Sequence, residues 1–197
     1  MFSKQSHRFS KIILGCLALY FIYIFINAIS IVNRRYIGTS NGSYVNSTTQ
    51  NSKLYKLTKS LTKNCHTDTC KTQSILNYVT NIPYRLNKFT AHSPQDTIKR
   101  NFGDCDDKSN LLISLLHELG LESYFVLVPR HIFVVVLLPE LSDTKALYIN
   151  GKAYYILEST AKNSLVGFPL NYELDEIEAI IEPFKNRKLK IDTIEYK

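Results

Sequence analysis

The chain has no tryptophan, a single methionine, and only seven glycines and six prolines in 197 residues. Glycine and proline this scarce exclude a collagen-like or proline-rich filament. No segment recurs at a period of about 20–50 residues, which excludes solenoids and propellers. Acidic residues are missing from residues 1–35, where Lys4, Arg8, Lys11, Arg34 and Arg35 lie. Much of the net charge of +7 therefore sits at one end. The rest of the chain is close to neutral and offers no broad basic face to phosphate backbones, so no nucleic-acid partner is expected. At 45% hydrophobic and 21% charged residues, the composition is that of a folded chain. The length suits one domain plus an appendage.

Residues 12–32, IILGCLALYFIYIFINAISIV, hold no charge, and Asn27 is their one strongly polar side chain. About 20 apolar residues at ~1.5 Å rise cross a ~30 Å hydrocarbon core, so the run reads as a transmembrane signal anchor. Lys4, Arg8 and Lys11 precede it, and Arg34 and Arg35 follow it. The heavier basic flank stays in the cytoplasm. Residues 1–11 are thus expected inside, with the body outside the cytoplasm, periplasmic or extracellular. The alternatives are a cleaved signal peptide with its site at Ala28-Ile29-Ser30, whose apolar core would be shorter, and a lipoprotein signal at Cys16.

Residues 33–53 are rich in Ser, Thr, Asn and Gly and lack a hydrophobic period, which predicts a polar linker. Asn41-Gly-Ser43 and Asn46-Ser-Thr48 fit a glycosylation acceptor pattern. Beyond it, residues 54–197 form the predicted domain. Cys65-His-Thr-Asp-Thr-Cys70 brings two of the four cysteines close together. A Cys65–Cys70 disulfide is the preferred reading in an oxidising compartment. A metal site of Cys65, His66 and Cys70, lacking an evident fourth ligand, and two free thiols are the alternatives. Either way Cys105 has no obvious partner.

The chemistry concentrates around Cys105. Ser93-Pro94-Gln95-Asp96 reads as a helix start, with a capping side chain, proline in the first turn and an acid after it. In Asn101-Phe-Gly-Asp-Cys-Asp-Asp-Lys-Ser109, Gly103 permits a tight turn and Asp104 can cap the helix that follows. Leu111, Leu112, Leu115, Leu116 and Leu119 form its apolar stripe, and Gly120 stops it. Cys105 thus falls in the first turn of a buried helix, whose N–H groups favour a thiolate and can hold an oxyanion. Gln95 is a second oxyanion candidate. Asp104, Asp106 and Asp107 oppose the thiolate. They could cap the helix, meet a cationic substrate group or hold calcium. Glu122–Pro129, Arg130–Leu138 and Ala153–Leu157 read as strands. His131 opens the second, and Glu158 follows the third. Antiparallel pairing would bring His131 and Glu158 together near the thiol, as nucleophilic catalysis requires.

The run from about Ile75 to Thr160 resembles the transglutaminase-like superfamily, the papain-type Cys-His-Asp/Glu thiol enzymes, in a bacterial membrane-anchored form. The matching features are Tyr78-Val79, Ile82-Pro-Tyr84, Gly103-Asp-Cys105-Asp-Asp-Lys-Ser109, the leucine helix ending at Gly120-Leu121, His131 and Leu157-Glu-Ser-Thr160. The resemblance implies Cys105 as nucleophile, His131 as general base and acid, and Glu158 as orienter where Asp is commoner. It implies no cofactor, with calcium the one candidate metal, since some bacterial relatives bind it beside the catalytic cysteine. Animal-type transglutaminases use a tryptophan near the oxyanion, which this chain lacks, so crosslinking of that kind loses support.

Beyond Thr160, Glu173–Glu182 has helical character up to Pro183, and Lys188–Tyr196 alternates like an edge strand. The expected fold class is α+β: a transglutaminase-like core with the cysteine helix packed on an antiparallel sheet, plus one N-terminal transmembrane helix. The expected activity is a thiol-dependent amide-bond hydrolase, a cysteine peptidase or amidase acting on an extracytoplasmic protein or peptide. Acyl transfer to an amine and a non-catalytic membrane-tethered binding module are the alternatives.

Overall fold

The computed structural model describes residues 4–33, 35–39, 42–87 and 91–197. They divide into two compact units, Met1–Arg35 and Tyr36–Lys197.

The first unit is one helix, α1 (Lys4–Asn33). Its large apolar side chains are exposed, Leu14 at 71% and Phe25 at 67%. Among the described residues, no helix is long and apolar enough to cross a membrane. The transmembrane anchor expected at 12–32 is therefore not supported. The backbone there is helical, but the side chains of Asn27 and of residues 30–32 lie outside the described set.

The second unit is an α+β domain. A two-stranded sheet pairs β1 (Arg35–Thr39) with β2 (Gly42–Asn46). Four helices follow: α2 (Ser52–Leu61), α3 (Asp68–Asn81), α4 (Pro94–Arg100) and α5 (Cys105–His117). The main sheet then forms from β3 (Ser123–Val128), β4 (His131–Leu137), β5 (Leu147–Ile149), β6 (Lys152–Leu157), β7 (Ala179–Glu182), β8 (Arg187–Lys188) and β9 (Ile194–Tyr196). Its order is β8-β7-β3-β4-β6-β5-β9, and every pairing is antiparallel.

Both faces of this sheet are covered. On one, Phe125, Leu127, Ile132, Val134, Tyr155 and Leu157 pack with Leu111, Leu112, Leu115 and Leu116 of α5. On the other, Val126, Phe133, Val135 and Ile156 pack against Phe168, Leu170, Tyr172 and Leu174 from the C-terminal segment. The two sets alternate along each strand, as the period of two demands. Burial on both sides explains why β3 and β4 read as nearly continuous apolar runs.

The segment expected to be a linker is folded into the domain. Tyr44 is 4% exposed, packs edge-on to Phe125 and accepts a hydrogen bond from Asn110 Nδ2 at 3.0 Å. The N–H groups of Ser47, Thr49 and Asn51 donate to Asn110 Oδ1, Ser114 Oγ and Glu118 Oε1. Two residues of extended chain advance about 6.6 Å and four of helix about 6 Å, so the two ladders stay in register. The polarity that suggested a tether serves this zipper. Asn46 is buried, its Nδ2 donating to Pro183 O, which leaves no glycosylation site there. Asn41 lies outside the described residues.

The C-terminal expectations also change. A capping box between Glu173 and Glu176 makes only one 3-10 turn, Leu174–Glu176. Residues 179–182 are the strand β7, because Ile180 and Ile181 pair with Val126 and Phe125 of β3. Tertiary pairing overrides the local helical pattern. The edge strand expected at 188–196 splits into β8 and β9, at opposite edges of the sheet.

Replacing Tyr44 tests whether residues 36–51 belong to the domain. Tyr44→Ala is expected to cost about 3 kcal/mol of unfolding free energy, from lost aromatic burial. Urea denaturation of the full chain measures this, and a solvent-exposed tether would give no change.

Candidate active site

Cys105 opens α5. Asp104 is the N-cap, its Oδ1 accepting from the Asp107 N–H at 3.2 Å, while its Oδ2 accepts from the Asn87 N–H at 3.1 Å. Gly103 is needed for a close approach rather than for an unusual φ. It bridges to Tyr84, and its N–H donates to Pro83 O at 3.2 Å. A Cβ there would lie 2.8 Å from Asp107 Cβ.

Below that turn, the polar residues of α5 bind α5 to its surroundings. Lys108 is 1% exposed and donates to Ile82 O at 2.9 Å, just past α3. Burial lowers its pKa to about 8, against the pull of Glu158. Ser109 shares a hydrogen bond of 3.1 Å with Ser159, one residue after Glu158. Ser109 is one turn along from Cys105, so this bond sets the start of α5 against the end of β6.

His131 is the first residue of β4, and Glu158 follows the last residue of β6. The register Val134↔Leu157 brings both to the same end of the sheet. His131 Nε2 donates to Glu158 Oε2 at 2.8 Å. Glu158 Oε1 also accepts from the Thr160 N–H at 2.9 Å and from its hydroxyl. Burial pushes the Glu158 carboxyl up, but the bonds from His131 and Thr160 outweigh it and hold the pKa below its ordinary value. An ionised carboxylate fixes the imidazole by Nε2, and Nδ1 takes no part in that bond.

The thiol behaves otherwise than the helix terminus suggested. Burial raises its pKa, and the charges of Asp106 and Asp104 raise it further. Its hydrogen bond is to Asp106 Oδ1 at 3.5 Å; among the described residues it has none to His131. The site rests with a neutral thiol. Asp106 is itself pushed up to about 7 by burial and by the charge of Asp104.

The three aspartates have separate tasks. Asp104 caps the helix, Asp106 faces the thiol, and Asp107 is fully buried against His92. His92 donates its backbone N–H to Asp107 Oδ1 at 2.6 Å, and Nδ1 stands 3.0 Å from Oδ2 as an ion-pair contact off the hydrogen-bonding line. Among the described residues, no group of three or more His, Cys, Asp or Glu could hold a metal ion. Gln95 sits half-buried in the first turn of α4 and makes no hydrogen bond to α5 among the described residues.

Cys65 and Cys70 form a disulfide across the N-terminus of α3, where Thr67 caps the Cys70 N–H. Cys16 and Cys105 are the free thiols. Sequence reasoning missed Tyr44, which bonds to Asn110 of the cysteine helix, and Tyr172, whose ring lies parallel to that of His131. Tyr44 stood in an apparent linker and Tyr172 in an unassigned tail. The one available signal for the first was the four-residue spacing of Asn110, Ser114 and Glu118.

Residues 55–132 match the family described as the transglutaminase-like superfamily. No curated protein matches the chain. Similar solved structures include a presumptive cysteine protease from Cytophaga hutchinsonii, at 18% identity and TM-score 0.49, covering 74% of this chain. A presumptive protease from Parabacteroides distasonis is 12% identical, at TM-score 0.46 over 72% of this chain. Legionella pneumophila LapG is 13% identical, at TM-score 0.40 over 69% of this chain and 86% of its own. The chain spans 50% of the Cytophaga protein and 28% of the Parabacteroides protein.

Two measurements follow from these charges. Because the folded pKa of Glu158 is depressed, its stabilisation is complete above the ordinary carboxylate range and is lost as pH falls through the folded value. Glu158→Gln should therefore lower stability by about 1–2 kcal/mol at pH 7 and converge on the wild type in acid, as read by urea titrations across pH. Asp106→Asn removes a negative charge beside the thiol, so iodoacetamide should alkylate Cys105 at lower pH than in the wild type.

Proposed function

We infer a thiol enzyme from one premise: residues 55–132 of this chain match the transglutaminase-like superfamily. The reading is a cysteine hydrolase that cleaves amide bonds in a protein or peptide, with Cys105, His131 and Glu158 as its working groups. The observation that carries it is the 2.8 Å bond from His131 to an ionised Glu158, at the sheet end against which α5 begins.

Cys105 Sγ attacks the substrate carbonyl carbon. Its proton passes to His131 as the C–S bond forms, which suits a thiol that rests neutral. Coupled transfer avoids a free thiolate beside Asp104 and Asp106. The N–H groups of the first turn of α5 receive the oxyanion. His131 then gives the proton to the leaving amine as the C–N bond breaks. Water, deprotonated by His131, cleaves the thioester, releases a carboxylic acid and returns the proton to sulfur. Glu158 holds the imidazole throughout and stabilises its charged form. Catalytic hydrogen bonds are often loose before substrate binds, which accommodates the separation of thiol and imidazole at rest. The Cys65–Cys70 disulfide supports a setting outside the reducing cytoplasm.

The test is alkylation of the full chain with iodoacetamide across pH, followed by mass spectrometry at each cysteine. The expected result is that Cys105 reacts and that His131→Ala slows it at least tenfold near neutral pH, a factor worth about one pKa unit. Amide hydrolysis on a peptide library should vanish in Cys105→Ala, with folding intact. Cys105 reactivity indifferent to His131→Ala overturns the reading.

A further inference from the structure

The segment after Thr160 carries no residue of the proposed triad, yet it covers the back of the His131–Glu158 pair. Gly167 and Phe168 both donate their N–H groups to Ile156 O at 3.0 Å, which fixes one end of the segment to β6. Leu170 donates its N–H to the Tyr196 hydroxyl at 3.1 Å, which fixes it again to β9. Between these points and the 3-10 turn, the chain lays Phe168, Leu170, Tyr172 and Leu174 on the second face of the sheet.

His131 and Phe133 lie two residues apart on β4 and so share that face. The Tyr172 ring runs nearly parallel to both: 6.2 Å and 18° from His131, 6.3 Å and 14° from Phe133. Both separations fall in the range of offset stacking, about 4.5–7 Å. Phe133 is 2% exposed, so the stack rests on a rigid floor. The cavity left between Glu158, Phe133, Ile156 and the segment is about 10 Å³, roughly the space of one water.

We propose that Tyr172 is a positioning residue, whose ring holds the His131 imidazole against Glu158 and keeps bulk water from that contact. The inference rests on the thiol–imidazole reading above and assigns a task to residues 167–174 within it. A charge-assisted hydrogen bond is stronger where water is excluded. Without the ring, water competes for Glu158 Oε2 and the imidazole gains freedom to rotate away from the thiol. The charged and titratable groups around the pair are Asp106, Lys108, Glu176, Arg130 and Cys105, and none of them needs to change for this effect.

The experiment is the pH profile of Cys105 alkylation in the full chain for Tyr172→Ala, Tyr172→Phe and His131→Ala, with iodoacetamide as probe. In Tyr172→Ala the profile should move up by about one pH unit, and the rate near pH 7 should fall about tenfold, since a weaker carboxylate–imidazole bond favours the thiolate less. Tyr172→Phe keeps the ring and should rescue the profile. A merely structural role would change thermal stability without moving the profile. If Tyr172→Ala does not fold, Tyr172→Leu, which covers Phe133 without a stacked plane, carries the same expectation. A wild-type profile in the Ala or Leu variant, or a Phe variant as slow as Ala, overturns the proposal. An unaltered rate in His131→Ala is a different failure, that of the thiol–imidazole reading itself.

Discussion

Burying the first half of α5 obliges its polar side chains to find partners inside the protein, and the rest of the second unit is arranged to supply them. An unpaired polar group in a core costs about 1–3 kcal/mol, and more when charged. Asp107 takes His92, and Lys108 takes the carbonyl at the end of α3. Ser109 takes Ser159, Asn110 takes Tyr44 and Ser47, and Ser114 takes Thr49. Each bond ties a different part of the chain to one helix. The leucines of the opposite face supply adhesion to the sheet, while the polar residues fix where along the sheet the helix sits. That position decides what stands near Cys105.

The same arrangement explains the electrostatics of the thiol. A helix start offers partial positive charge, but here it is lined by Asp104 and Asp106, and the thiol is half-buried. The acids win, so sulfur keeps its proton and Asp106 is drawn toward neutrality itself. A carboxylate already committed to an imidazole, as Glu158 is, stays ionised under similar burial because its partner donates a proton-bearing nitrogen. Two acids with comparable burial thus shift in opposite directions, because Glu158 accepts from His131 and Thr160 while Asp106 accepts from the weaker thiol and faces Asp104.

Much of this was legible in the sequence where local and global signals agree. The leucine stripe with Asp104 before it and Gly120 after it marked α5, and the β-branched runs marked β3, β4 and β6. Their order along the chain was enough to bring His131 and Glu158 together, since adjacent antiparallel strands share ends. Legibility failed where a segment's character is set by its neighbour. Residues 36–51 look like a tether because their polar groups serve α5 rather than solvent. Residues 179–182 look helical because their pairing partner, β3, lies far off in sequence. Tyr172 has no local mark at all, since an aromatic ring acquires meaning only from what it faces. The apolar run at 12–32 is plain in the sequence, while among the described residues it does not amount to a membrane-crossing helix.

The distribution of the site along the chain bears on how the protein is made. Synthesis delivers the N-terminal parts first. Tyr44 and the segment that zips to α5 are therefore made before Cys105 appears, so the helix can be gripped as it forms. His131 comes next, then Glu158, and the ring that covers them only after both. The two anchors of that cover come from β6 and from β9, the last strand of the sheet. Cys105 is thus made early, and His131, Glu158 and the ring that covers them late. Until Tyr196 has joined the sheet, that cover lacks its second anchor.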